Sequence, residues 1–208
     1  MTVDTRKKIL VAATKLFAAA DGRVASLRAI AREADVNSAL VHYHFGSREA
    51  LFEAAILAAL APIQLRRQRL LAELRDLDSA PDVRDVARLF VEPLLPDPEE
   101  DPQYHANSLR LLSRVFSEQR AMTRDLTLKH FGDSIYALGD FVGTVLSNMP
   151  QATQFRRTQF SVEVALESLA SFETIELETN PSDSADRDEI VADLIDYLAG
   201  GLSAPVTT

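Results

Sequence analysis

Residues 26–52 read SLRAIAREADVNSALVHYHFGSREALF, and this stretch places two short helices, a tight turn and the start of a third helix within twenty-seven residues. Ser26 precedes the helical pattern Leu27, Ile30, Ala31 and Ala34; its hydroxyl suits the N-cap, where a side-chain oxygen accepts from an otherwise unpaired backbone N–H. Ala34-Asp35-Val36 reads as the turn, with Asp35 the residue best able to take a left-handed conformation. Asn37 caps the next helix, in which Val41 and Phe45 face inward, pinned by Val36. Ser38, Ala39, Leu40, His42 and Tyr43 are left outside or at the edges, with no folding role. Gly46 ends this helix, and Ser47 caps another, with Glu49 complementing the dipole in its first turn.

Upstream, a helix is expected from about Asp4 to Ala20, with Ile9, Ala13, Leu16, Phe17 and Ala20 forming its apolar stripe and Gly22 stopping it. Downstream, Leu51, Phe52, Ile56, Leu57 and Leu60 make a helix apolar on several sides, which connects head and body. Pro62 suits the start of a further helix running to about Leu77 through Ile63, Leu70, Leu71 and Leu74. Pro81 opens another, ending near Leu95, and the segment 96–102, PDPEEDP, is a loop that buries nothing. Helices are then expected from Gln103 to Gln119, on to about Phe131, and from Asp133 to Leu146. After Pro150 a long amphipathic helix carries Phe155, Val162, Leu166, Leu169 and Phe172 on one side. A polar loop over 178–185 follows, and Asp186 with Glu189 caps a last helix ended by Gly200-Gly201.

The chain is therefore expected to be all-α. Its 208 residues, 47% of them hydrophobic, suffice for a substantial core. The absence of cysteine removes disulfides, thiolate metal sites and Cys nucleophiles. Neither a signal peptide nor an apolar run long enough for a membrane span is present, so a cytoplasmic protein is expected. The net charge of −9 argues against a nucleic-acid partner until it is divided along the chain. Residues 1–50 hold eight basic against five acidic side chains, a balance of +3, whereas the remainder holds 14 against 26, a balance of −12. Basic character is thus concentrated at the amino end.

The head resembles the helix-turn-helix domain of the TetR family of transcriptional regulators. The resemblance rests on Leu16-Phe17, Ile30-Ala31, Ala34, Val36, a capped recognition helix, His44-Phe45, and Ser47-Arg48-Glu49 leading into Leu51. The chain departs from the family in having Asp35 where Gly is usual, which strains the turn slightly, Leu40 where a small or hydroxyl-bearing residue is common, and His42 where Tyr is common. The stretch from Ala61 to Phe172, with Leu111-Leu112-Ser113-Arg114 and His130-Phe131-Gly132, resembles the branch containing fatty-acid-responsive regulators.

That resemblance implies a DNA-binding head over 1–48, an effector-binding and dimerisation domain over 49–202 and a disordered tail over 203–208. A recognition helix enters the major groove by its N-terminal part. Ser38, Ala39 and Leu40 are accordingly expected at base edges, and His42, Tyr43 and His44 at their flanks or the backbone. Arg48, at a helix start, is expected at phosphate, Ser26 and Arg28 near the backbone or groove edge, and Asn37, the cap of the recognition helix, among the DNA-binding residues. Leu40 at the edge of the buried face has a competing reading as core. A metal reading of His42-Tyr43-His44 is weakened because residues two apart on a helix diverge and no carboxylate or cysteine lies nearby.

The implied assembly is a homodimer through 151–173 and 187–200, binding a palindromic operator. A small apolar effector would lie among Phe90, Leu94, Asn107, Leu111, Phe116 and Phe141, residues that also read as plain core. No cofactor is expected, and no GxGxxG, Walker loop, GxSxG or HExxH supports an enzyme. The rival reading keeps the fold but makes it a protein-interaction module that has lost specific DNA binding, on the strength of the modest +3 head and the apolar Leu40.

Overall fold

The structure, a computed structural model, describes residues 2–19, 25–171 and 187–206. The expected stop at Gly22, the loop over 178–185, the cap at Asp186, and the stripe positions Ala20 and Phe172 lie outside the described residues. Nine α-helices and no strand occur among the described residues: α1 (Thr2–Ala18), α2 (Leu27–Glu33), α3 (Ser38–Phe45), α4 (Arg48–Arg75), α5 (Val83–Val91), α6 (Pro102–Glu118), α7 (Arg120–Val145), α8 (Gln151–Ala170) and α9 (Arg187–Ser203). Two compact units divide the chain, one of Met1–Pro62 with Pro96–Thr127, the other of Ile63–Leu95 with Leu128–Thr208.

In the first unit, α1 packs on α2, α3 and α6. Ile9, Ala13 and Phe17 are buried along its stripe, as their spacing predicts, together with Ala12 and Thr14 on the adjoining side. Phe17 meets Phe52 edge to face, with ring centroids 4.9 Å apart. Burial of an apolar side chain of this size contributes about 1.5–3 kcal/mol. The C-terminal carbonyls of α1 are claimed from far along the sequence, because Arg114 of α6 donates to Phe17 O at 3.2 Å and also to Ala19 O. The acidic loop before α6 is not wholly solvated either. Glu100 Oε2 lies 3.1 Å from Nδ1 of the buried His105, so one of the acids expected to bury nothing is drawn under the helix start.

In the second unit, α9 packs on α5 and α8, and α5 on α8. Helix α5 opens with a capping box in which Asp82 and Asp85 each accept from the other's backbone N–H at 3.0 Å. Pro81 therefore precedes the cap and does not begin the helix. The α-helix stops at Val91 and a 3-10 turn (Glu92–Leu94) carries the chain to the expected end near Leu95. The reason is local: Pro93 has no N–H with which to continue the α-helical ladder.

Several expected boundaries differ. Pro62 does not start a helix; it sits inside α4, which runs unbroken for 28 residues. Ala55, Ile56, Ala59 and Leu60 before it and Ile63, Leu70, Leu71 and Leu74 after it are all buried, and tertiary burial outweighs the missing hydrogen bond. The two compact units nevertheless change over at this proline. The break expected near Phe131 is a kink within α7, where Phe131 has φ −133° and ψ 22°.

Gly200-Gly201 do not end α9, because Leu198 and Leu202 are both buried and hold the last turn. Nor does the described part of the tail hang loose. Arg157 of α8 donates to the carbonyls of Leu202 at 2.8 Å, Ala204 at 2.6 Å and Pro205 at 3.2 Å. Phe155, expected on the buried side of α8, is 63% exposed, and the buried side runs through Ser161, Ala165, Leu166 and Leu169.

A proline that interrupts a continuous helix weakens it, whereas one at a helix start does not. Pro62→Ala should therefore raise the melting temperature, the helix itself gaining about 1–3 kcal/mol. An unchanged melting temperature in a thermal unfolding experiment would place a helix start at Pro62 after all.

Candidate nucleic-acid interface

The site is built on the ends of three short segments. Ser26 Oγ accepts from Ala29 N at 3.1 Å and starts α2. Ile30 and Ala31 are buried on its inner face. After Ala34 the chain reverses at Asp35, whose φ of 51° is the one positive value for a non-glycine among the described residues. The turn closes with Val36 N donating to Ala31 O at 3.0 Å. Asn37 Oδ1 then accepts from Ala39 N at 2.9 Å and starts α3. Each capping residue expected between 26 and 47 makes its bond, including Ser47, whose Oγ accepts from Ala50 N at 3.0 Å.

Helix α3 is anchored on one side only. Val41 is fully buried, while Phe45 and His44 are half-buried. Helical periodicity then places Ala39 and Tyr43, one turn apart, at the centre of the opposite face, with Ser38 and His42 on one flank and Leu40 on the other. Tyr43 is 79% exposed and Leu40 40% exposed, so Leu40 is not core. His44 supports Tyr43 from beside it, their rings edge to face at 5.2 Å. At the C-terminus Gly46 takes φ 74°, a conformation that costs a residue without a Cβ little, and its N–H bonds His42 O at 2.8 Å.

Two arginines make contacts within the head. Arg48, expected at a DNA phosphate, donates through Nε to Ala25 O at 2.8 Å, and its guanidinium lies 5.2 Å from the centre of the Phe17 ring. It holds the start of α4 against the entry to α2, so it positions the head. Arg6, not among the expected site residues, places its guanidinium 5.1 Å from the Phe45 ring. Its signal in the sequence was charge alone; pairing with a phenylalanine in α3 is set by the fold. Lys15 bonds Glu33 at 2.5 Å and ties α1 to α2. Arg28, by contrast, is exposed, as are Ser26 and Asn37.

Among the described residues no group of three or more His, Cys, Asp or Glu is arranged to hold a metal. The six expected effector contacts divide between the compact units: Asn107, Leu111 and Phe116 belong to the first, Phe90, Leu94 and Phe141 to the second. Leu111, Phe90, Leu94 and Phe141 are buried, and Asn107 and Phe116 half-buried.

A capped helix-turn-helix with one face of its second helix presented to solvent, on an otherwise helical chain, defines a helix-turn-helix protein. The family described as bacterial regulatory proteins, tetR family, matches residues 9–55. The tetracyclin repressor-like C-terminal domain matches residues 88–201. The chain belongs to the TetR family and is a DNA-binding transcriptional regulator. The C-terminal match names no fatty-acid-responsive branch.

Solved structures share the fold. A TetR-like transcriptional regulator from Rhodococcus sp. RHA1 has a TM-score of 0.60 at 20% identity, covering 97% of each chain. A TetR-family transcriptional regulator from Rhodococcus sp. has a TM-score of 0.57 at 19% identity, covering 94% of this chain and 98% of that one. GusR of Salmonella enterica has a TM-score of 0.50 at 18% identity, covering 96% of each. No individually curated protein matches the chain. Among the described residues no helix is long and apolar enough to cross a membrane.

Because Arg48 works inside the head, Arg48→Ala should destabilise it by about 1–3 kcal/mol through the lost charge-assisted bond and ring contact. The loss should appear in a denaturant melt without DNA. A variant as stable as the parent would return Arg48 to a phosphate role.

Proposed function

We propose that the protein is a cytoplasmic homodimeric repressor that leaves a palindromic operator when a small effector binds its body. The observation that carries this is the outward face of α3, where Ala39 and Tyr43 stand exposed between Ser38, His42 and Leu40 while Val41 is fully buried on the opposite side. Apolar and aromatic groups in that position suit thymine methyl contacts, and Ser38 and His42 suit base edges or phosphate. Ser26, Arg28 and Asn37 flank this face at helix starts, with His44 backing Tyr43 and Arg48 setting the approach of α4. The division into a DNA-reading part over 1–48 and an effector and dimerisation part over 49–202 is one of role, since α6 packs with α1 in one compact unit.

One head makes few base contacts, and two related by a dyad supply the specificity a palindrome requires. Large aromatic side chains stand out on the two helices proposed to pair: Phe155 and Phe160 on α8 are 63% and 60% exposed, and Tyr197 on α9 is 70% exposed. Rings of this size are enriched at the centre of protein interfaces. Within the second unit, Phe90, Leu94 and Phe141 supply apolar surface for the effector.

Operator binding is tested by selecting genomic fragments and titrating salt. Affinity should fall steeply as salt rises. Tyr43→Ala should weaken operator binding by about 1–3 kcal/mol with an unchanged melting temperature, because the ring is exposed. Retrieval of no specific fragment would sink the repressor reading and favour the interaction module. Phe160→Asp should shift the protein from dimer to monomer in sedimentation velocity and lower operator affinity with it; a variant that remains dimeric removes α8 from the interface.

A further inference from the structure

In the second unit, a charged side chain is buried without a counter-charge. Arg67 is 7% exposed on α4, and its Nε donates to Leu89 O at 3.0 Å. That bond has a structural purpose, because Leu89 O would otherwise await the N–H that Pro93 lacks. Arg66 completes the tie, its Nε donating to Pro93 O at 2.9 Å. A neutral amide would serve Leu89 equally well, and without the cost of burying a charge.

Arginine brings more. Among the described residues the Leu89 bond is the one hydrogen bond that Arg67 makes, and no carboxylate pairs with it. Burial lowers the guanidinium to about 10, with no neighbouring acid raising it, so it remains charged at neutral pH. A buried ion is ordinarily matched by an opposite charge, since a single carbonyl does not repay its desolvation. The surroundings are also polar on one side. Gln64, one helical turn before Arg67 on the same face of α4, is buried, and its Oε1 accepts from the buried Ser134 Oγ of α7 at 3.3 Å. That leaves the Gln64 amide to offer its NH2.

We infer that the effector is an apolar molecule bearing a carboxylate, and that Arg67 is its counter-ion, with Gln64 as a second donor. The inference rests on the effector reading above and narrows it from an apolar ligand to an amphipathic anion. The planar guanidinium presents parallel N–H bonds that match the two oxygens of a carboxylate. The inference places the rest of the molecule against apolar side chains of the second unit, such as the buried Phe90 of α5.

The test uses the full chain and three carboxylates of different body, octanoate, phenylacetate and indole-3-acetate, each against its own primary amide. Calorimetry should show at least one acid binding more tightly than its amide. Arg67→Gln, a neutral amide that can still donate to Leu89 O, should weaken that acid roughly tenfold or more, leave the amide unchanged, and melt no lower than the parent without ligand. If Arg67→Gln fails to fold, Arg67→Lys keeps the charge without the planar fork and should still weaken the acid selectively. No acid exceeding its amide, or equal loss for acid and amide in either variant, overturns the inference. Operator release is measured separately. Acid binding that leaves the protein on its operator keeps the anion site and removes the effector reading; release by acid and amide alike keeps the effector reading and removes the anion site.

Discussion

The structure of the head depends on the packing of α3 on α2, with Val41 of the one and Ile30 and Ala31 of the other buried beneath a turn of a few residues. Neither helix is long enough to be stable alone. Their side chains must meet, and the connection is short enough to meet them at one angle only. Asp35 accepts φ 51° to make that reversal, a conformation an aspartate visits more readily than most residues with a Cβ. Once Val41 is inward, helical geometry leaves Ala39 and Tyr43 outward. The exposed face of α3 is thus a consequence of its core.

A second regularity runs through both compact units. Arginines repeatedly close carbonyl groups: Arg48 that of Ala25, Arg114 those of Phe17 and Ala19, Arg75 that of Ala137, and Arg157 three near the C-terminus. Phe17, Ala19 and Leu202 lie at the C-terminal ends of helices, where carbonyls lack an intrahelical donor, and a long guanidinium reaches them from another element. Basic residues so used keep their charge but have fewer N–H groups to offer a phosphate. Of the eight basic side chains of the head, Lys15 and Arg48 are engaged internally. On the proposed reading, recognition rests largely on uncharged groups such as Tyr43 and Ser38.

What could be read without coordinates was whatever depends on neighbours in sequence. The caps at Ser26, Asn37 and Ser47, the reversal at Asp35, the stop at Gly46 and the inward Val41 are all determined within four or five residues, because hydrogen bonds to exposed helix N–H groups and helical periodicity act at that range. The all-α class follows from the same local patterns summed over the chain.

Where a residue's fate depended on distant partners, local rules failed. Pro62 and Gly200-Gly201 are helix breakers by propensity, yet α4 and α9 continue through them because Ile63, Leu70, Leu198 and Leu202 are buried. Burial of several apolar side chains exceeds the propensity cost of one proline or two glycines. Arg48 and Arg114 were legible as charges but not as donors to particular carbonyls, and Arg67 was legible only as one position in a helix. The sequence by itself determined which segments are helical and how the head turns. Tertiary structure alone decided which cations are committed inside the protein and that Arg67 is buried with a backbone carbonyl as its partner, since desolvation and pairing depend on what surrounds a group in space.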